Sequence, residues 1–332
     1  MQKLIPIAFM FDNNYVIPAG VAFYSLLENA DKSHFYHFYV LHNDITLENQ
    51  EKLHETVKDF QNVQLDFFNM TSDFDDIWKK INIKGHYSKE IFYKFIIPSL
   101  FPQYEKLIIT DVDVVFCGDI SESYFSFDSN EDFYIAGVKG IGKMMHFMDA
   151  YKKDFTEEEI QKLQIGAGYM IYNLKKMRED FIEEKLIKCL EKNIKRVRQP
   201  EQDILNLVCY PKIKYLHLKY MTCTYLYDLY KYEEDFKNDS QFSKQELKEA
   251  FHKPAQLHYA THVKPWLNPS CAKSEEWFKY LVKTPFLKDC LINMDYLTKE
   301  QSKITKHIFN FSLDVSRKKK IIFEIKKEKL KS

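Results

Sequence analysis

The chain has 332 residues, is 45% hydrophobic and 16% aromatic, and carries 22 Tyr and 27 Phe against only 8 Gly. That composition excludes a disordered or fibrous chain and supplies a core for one large α/β domain or a domain with an appendage. Lys+Arg and Asp+Glu are both 48, so the formal net charge is zero and gives no general reason to expect nucleic acid.

The opening stretch MQKLIPIAFMFDNNY has one Lys before a short apolar run that ends at Asp12. With no small-residue cleavage site, it predicts a first strand over residues 4–11, not a signal peptide. A helix is predicted over 15–28, a strand over 36–41, a helix over 46–60 with Thr46 as N-cap, and a strand over 63–68. Ser88 is placed to cap a helix through KEIFYKFIIPSLF, whose Ile91, Phe92, Phe95 and Ile96 share one apolar face before Pro98 disturbs it. Strands are predicted over 106–110, 133–138, 169–172 and 256–259. A helix is predicted over 174–190, where Met177, Phe181, Ile182, Leu186 and Cys189 recur at helical spacing. Residues 228–253 are charged and predict an exposed helical or loop segment, and short helical patterns follow Trp266. Such alternation argues an α/β fold with an open, largely parallel sheet and helices on both faces. Ligands in such sheets bind beyond the carboxyl ends of the strands.

No segment approaches the roughly 18–20 apolar residues of a membrane span. Six cysteines, at 117, 189, 209, 223, 271 and 290, form no CxxC pair and no Cys/His zinc spacing. Scattered thiols of this kind fit a reduced, cytoplasmic protein that is soluble or peripheral.

The stretch KLIITDVDVVF, residues 106–116, raises the functional question. Strand alternation predicts that Asp111 and Asp113 point to one side of the backbone. Two neighbouring anions need a cation. Three readings compete: a structural turn, a dehalogenase-type phosphotransferase with Asp111 as nucleophile beside Mg²⁺, and a metal site for a nucleotide diphosphate. The dehalogenase pattern belongs on a first strand, whereas several predicted strands precede this one. The diphosphate reading predicts further ligands downstream. HYATHVKPW, residues 258–266, offers them: an imidazole to complete a Mn²⁺ shell and an ammonium for phosphate.

Taken in order, these motifs resemble glycosyltransferase family 8, the retaining GT-A group that includes bacterial lipopolysaccharide galactosyl- and glucosyltransferases and glycogenin. FDNNY looks like the family's first-strand segment for base and ribose. FYKFIIPSLFPQYEKLIITDVDVVF looks like its helix and DxD strand. GAGYMIYNLKKMRE resembles the strand and helix carrying a sugar-contacting turn, and EQDILN the segment beside the anomeric carbon. HYATHVKPW is similar to the family's His-x-x-Gly-x-x-Lys-Pro-Trp ending. The resemblance covers roughly residues 4–266.

It implies a GT-A, Rossmann-like catalytic domain over residues 1–266 and a helical C-terminal region over 267–332. Asp111, Asp113 and His258 would bind Mn²⁺, or Mg²⁺ in its place. Asp12, Asn14 and Tyr15 would contact the uridine of a UDP-sugar. Lys264, with Asp111, would hold the diphosphate. Gln202, Asp203 and Lys94 form the catalytic group: Gln202 against the sugar's reacting face, Asp203 orienting sugar hydroxyls or fixing that segment. The implied reaction moves a hexose from UDP-glucose or UDP-galactose to a hydroxyl of a glycan or lipid-linked glycan, with retention, in surface-glycan synthesis.

Four positions depart from the pattern. Lys94 stands where Arg is frequent, Gly166 where the turn carries Asn, Glu201 where Asp precedes the Gln, and Thr261 where Gly is usual. They cluster around the hexose rather than the nucleotide. A UDP-sugar binder with weak or no transfer is therefore the alternative, followed by the dehalogenase-type phosphatase. The tail SRKKKIIFEIKKEKLKS interleaves Lys with Ile321, Ile322, Phe323, Ile325 and Leu330. A basic amphipathic tail of this kind can lie on the inner face of the plasma membrane or be a solvated helix.

Overall fold

The computed structural model describes residues 3–70, 79, 88–140, 151–238 and 241–299. The basic tail therefore lies outside the described residues. Seven strands form the central sheet: β1 (Leu4–Met10), β2 (Phe35–His42), β3 (Val63–Asn69), β4 (Lys106–Thr110), β6 (Ile135–Lys139), β7 (Ile165–Asn173) and β8 (Ile213–Leu216). Their order is β3-β2-β1-β4-β7-β6-β8. All run in one sense except β7, which is antiparallel to both β4 and β6. A small second sheet, β5 (Val114–Phe116), β10 (Gln256–His258) and β9 (Thr222–Cys223), stands at the carboxyl end of β4.

Strand alternation divides the core in two. Ile5, Ile7 and Phe9 of β1 face one hydrophobic cluster, and Ala8 and Met10 face the other. On the first side, Phe9, Phe23 and Phe38 meet at centroid distances of 4.6, 5.2 and 5.3 Å. Each such aromatic pair adds about 0.5–1.5 kcal/mol beyond its area burial. Phe23 comes from α1 (Val16–Asn29), which follows β1. α2 (Leu47–Val57) starts as expected, with the Thr46 side chain accepting from the Asn49 N–H. The C-terminal helix Ser274–Leu281 also joins this cluster: Trp277 is fully buried, and Phe286 beyond it sits on Gly20 of α1, where a Cβ would lie 2.5 Å from the ring.

Two expectations are corrected. The segment after Ser88 is not one α-helix but a 3-10 turn, Lys89–Phe95, then a short helix, Ile97–Leu100, and the Ser88 side chain makes no cap bond. Pro98 lacks the N–H that an α-helix would pair with the Lys94 carbonyl, and its ring crowds that carbonyl. The predicted 174–190 helix is two, Leu174–Glu179 and Ile182–Asn193, because Phe181 adopts a left-handed φ of 52°. Strands β5, β8 and β9 were not predicted. They are short, and β8 is half exposed, so neither length nor alternation announces them.

Candidate functional site

β4 ends at Thr110, and Asp111 and Asp113 lie on the connection into β5, where the chain changes sheets. They are not strand neighbours, as alternation had suggested. The turn is pinned at both ends: the Asp111 N–H donates to Gly168 O at 3.1 Å, and the Tyr259 N–H donates to Asp113 O at 3.0 Å. Antiparallel pairing of β10 with β5 sets His258 opposite Val114. Ligand atoms of Asp111, Asp113 and His258 consequently fall within 4.8 Å of one another. His258 Nε2 is 3.2 Å from Asp113 Oδ1 and 3.7 Å from Asp111 Oδ2. The imidazole lies directly on Gly168 of β7; a Cβ there would come within 2.4 Å of His258 Cε1.

The cluster is charge-dense, with Asp113 and His258 buried and Asp111 partly exposed. Burial alone would raise the Asp113 carboxyl, but Lys264 and His258 beside it hold it far below the usual carboxylate range. Burial disfavours the His258 imidazolium, yet Asp113 overcomes this and pushes its pKa up to about 10. Lys264 Nζ donates to Asp113 Oδ2 at 2.5 Å and to Tyr259 O at 2.6 Å. Two carboxylates and an imidazole are a fitting donor set for Mn²⁺ or Mg²⁺, whose hard character favours oxygen and tolerates nitrogen. A divalent cation would also relieve the repulsion that two adjacent carboxylates bring.

Behind the turn, Lys94 is fully buried. Its Nζ donates to Asp111 Oδ1 at 2.9 Å, Ala167 O at 3.1 Å and Glu201 Oε1 at 3.3 Å. Burial works against the ammonium, and Asp111 and Glu201 more than offset it, so it stays charged. An ammonium has three donors, and all are used on protein acceptors. Lys94 thus meets the site through Asp111 and Glu201.

A cleft of about 550 Å³ opens in front of the cluster. Tyr15, Asp111, Asp113, Gln202 and His258 all line it, as do Phe11, Glu201, Met221, Cys223 and Tyr225. Glu201 Oε2 is buried and, among the described residues, without a hydrogen-bond partner. Gln202 Oε1 accepts from the Ala167 N–H at 3.0 Å, which seats the start of the helix Pro200–Cys209 on β7. Asp203 is 1% exposed and does not line the cleft. It accepts from Tyr151 OH at 2.7 Å and from the Arg198 and Gln199 N–H groups at 2.8 and 3.0 Å, so it fixes the segment. Burial pushes its carboxyl up to about 6.

Asp12 and Asn14 are hydrogen-bonded to each other and do not line the cleft, whereas Tyr15 does. Tyr15 also packs edge-on against Trp266, with centroids 6.0 Å apart, and Trp266 against Trp277 at 5.4 Å. This row of rings anchors the loop that carries Lys264. Sequence reasoning missed Met221, Cys223 and Tyr225. They come from a short 3-10 turn, Leu218–Met221, and from β9 and the residues after it, which have no periodic signal.

The model of glycosyl transferase family 8 matches residues 6–269. A putative glycosyltransferase of Haemophilus influenzae is 25% identical over 223 residues, 66% of this chain and 63% of its own length. A lipopolysaccharide 1,2-glucosyltransferase of Escherichia coli is 24% identical over 285 residues, 84% of this chain and 78% of its own. Among solved structures, the bifunctional glycosyltransferase WbbM superimposes with a TM-score of 0.71 at 24% identity, covering 89% of this chain and 52% of that one. The galactosyltransferase LgtC, solved with donor and acceptor sugar analogues, gives 0.66 at 18% identity, covering 85% and 96%. The chain thus spans about half of WbbM and under two thirds of the Haemophilus relative. These likenesses give the fold as GT-A: α/β, with a mostly parallel sheet flanked by helices. The chain belongs to glycosyltransferase family 8.

Proposed function

We propose that the chain is a retaining hexosyltransferase that moves glucose or galactose from a UDP-sugar to a glycan hydroxyl, in the making of lipopolysaccharide, capsule or another surface glycan. The observation that carries this reading is the Asp111–Asp113–His258 cluster, within 4.8 Å and facing a cleft that Gln202 also lines. Those three side chains hold Mn²⁺ or Mg²⁺ in this reading. When bound, the cation supplies Lewis-acid neutralisation of the departing diphosphate. Lys264 has a third donor beyond the two it gives Asp113 and Tyr259, and it turns that donor to the diphosphate. Asp12, Asn14 and Tyr15 take the uridine.

Gln202, held by the Ala167 N–H, steadies the reacting face of the sugar. Glu201 Oε2 is an open acceptor for a sugar hydroxyl. Lys94 and Asp203 are positioning residues: the first fixes Asp111 and Glu201, the second the turn before Gln202. The acceptor hydroxyl approaches the face that UDP leaves, and the leaving phosphate oxygen takes its proton, so no side-chain base is needed. Residues 1–266 form the catalytic unit, and 267–332 form a C-terminal region whose basic tail rests on anionic lipid at the inner face of the plasma membrane. No helix among the described residues is long and apolar enough to cross a membrane.

Calorimetry with UDP, with and without Mn²⁺, for wild type and Asp113→Ala tests the reading. Binding that needs both Mn²⁺ and Asp113 supports it, and no binding in any combination overturns it. Gly166, which offers no side chain to a sugar, favours one alternative: a UDP-sugar binder without transfer. That protein would bind UDP with Mn²⁺ yet release no UDP from any donor. The dehalogenase-type reading is displaced by family membership and by the place of Asp111, after β4 rather than on the first strand.

A further inference from the structure

We propose that Met221 is the residue that selects the donor sugar, closing the sugar half of the cleft to hexoses with a bulky substituent. The inference rests on the UDP-sugar reading and deepens it. Met221 is only 4% exposed, and its visible edge lines the cleft. Its side chain lies over the two glycines of β7 that face the cleft. A Cβ on Gly166 would fall 2.5 Å from Met221 Cε, and one on Gly168 3.2 Å from Sδ. The thioether therefore fills the space that side chains at 166 and 168 would otherwise take.

Its position relative to the metal cluster gives this filling a consequence. Gly168 is the residue on which His258 rests. Gly166 is two residues along the same strand, on the same face, and so about 6.6 Å from Gly168. A group attached to a diphosphate at Asp111, Asp113 and His258 extends over that distance, about the width of a hexose ring. Gln202 Oε1, 3.6 Å from where the Gly166 Cβ would be, marks the far side. The polar groups nearby are already used on each other: Ala167 N–H with Gln202 Oε1, and Gln202 Nε2 with Gln199 Oε1. What meets the sugar along this strand is thus glycine backbone and a methyl thioether. Space is the discriminating property on this wall, and Glu201 Oε2, the open acceptor of the cleft, takes a hydroxyl that every one of these donors carries. The atoms that Met→Ala removes, Cγ, Sδ and Cε, match in number and bulk those an acetyl group adds to a sugar amine.

The test compares affinities of UDP, UDP-glucose, UDP-galactose and their two N-acetylhexosamine counterparts, with Mn²⁺, by calorimetric competition. No acceptor is required. Wild type is expected to bind the unsubstituted donors about tenfold or more tighter than the N-acetyl donors, and Met221→Ala to shrink that ratio by about tenfold. Met221→Leu, which restores the bulk, keeps the wild-type ratio. Met221→Val, a smaller truncation, shifts the ratio in the same direction and serves if the alanine variant does not fold. Equal binding of both donor classes by wild type, or a ratio unmoved by either truncation, overturns the assignment. Absence of Mn²⁺-dependent UDP binding in wild type instead overturns the donor reading beneath it.

Discussion

Lys94 and Glu201, far apart in sequence, meet in a buried ion pair with Nζ 3.3 Å from Oε1, and the same ammonium holds Asp111 at 2.9 Å. One cation thereby ties the Asp111 carboxylate of the cluster to the helix that carries Gln202. Removing it would leave the buried Glu201 carboxylate and the partly exposed Asp111 carboxylate without their shared partner. Lys94→Ala is expected to lower stability by about 3–5 kcal/mol, the usual cost of breaking a buried pair from one side. Urea unfolding measures it. A loss below about 1 kcal/mol would show that the pair does not carry the structure.

His258 supplies the nitrogen of the cluster and Asp113 lies 3.2 Å from it. His258→Ala is expected to weaken Mn²⁺ binding by at least about tenfold, since a ligand is lost outright. Titration of Mn²⁺ followed by its paramagnetic signal reads this directly. Chelation of the metal should abolish UDP binding in wild type and change little in the variant.

Gly168→Ala tests the packing beneath the Asp111–Asp113–His258 cluster. Its Cβ would lie 2.4 Å from His258 Cε1 and 2.5 Å from Nδ1, so the imidazole must move. The overpacking costs about 1–3 kcal/mol of stability. The larger expected effect is on function: Mn²⁺-dependent UDP affinity falls by about tenfold or more. Unchanged affinity at unchanged stability would mean that His258 is not held by this contact.

Asp203 predicts a pH signature. Its carboxyl titrates near pH 6 in the folded chain, raised from 3.8 by burial. Between those values the folded state holds the proton more tightly than the unfolded state. Stability linked to this group therefore grows as pH falls from 6 towards 3.8 and is lost as pH rises through 6. Asp203→Asn cannot titrate. The stability of wild type relative to this variant should increase on acidification across that window, measured by denaturant midpoints at a series of pH values. A difference that stays flat from pH 7 to pH 4 would contradict the assignment.

The basic tail gives a separate test. Deleting residues 317–332 should release the protein from vesicles containing anionic lipid while Mn²⁺-dependent UDP binding persists. Sedimentation of the two chains with such vesicles decides it, and equal binding by both would reject the membrane contact.

Much of this protein was legible in its residues. Strands β1, β2 and β4 read clearly as largely apolar runs, β3 by the alternation of Val63, Leu65 and Phe67 with Gln64 and Asp66, and the Thr46 cap marked α2. The family resemblance came from ordered motifs, and the residues it named at 15, 111, 113, 202 and 258 line one cleft. Elsewhere local signals failed for identifiable reasons. Pro98 broke a periodic helix, a left-handed Phe181 split another, and strands of two or three residues carry too few positions for a pattern. Composition and motif order determined the fold class and the kind of chemistry. Only the tertiary structure decided how the cluster is assembled: the chain changes sheets at Asp111, β10 pairs with β5, and His258 settles on Gly168. It also set the Lys94 ammonium on Asp111 and Glu201, the Asp203 carboxylate on Tyr151 and two backbone N–H groups, and Met221 in the space above Gly166. Those relations join positions distant in sequence through sheet pairing and close packing, and neither is encoded in the spacing of residues along the chain.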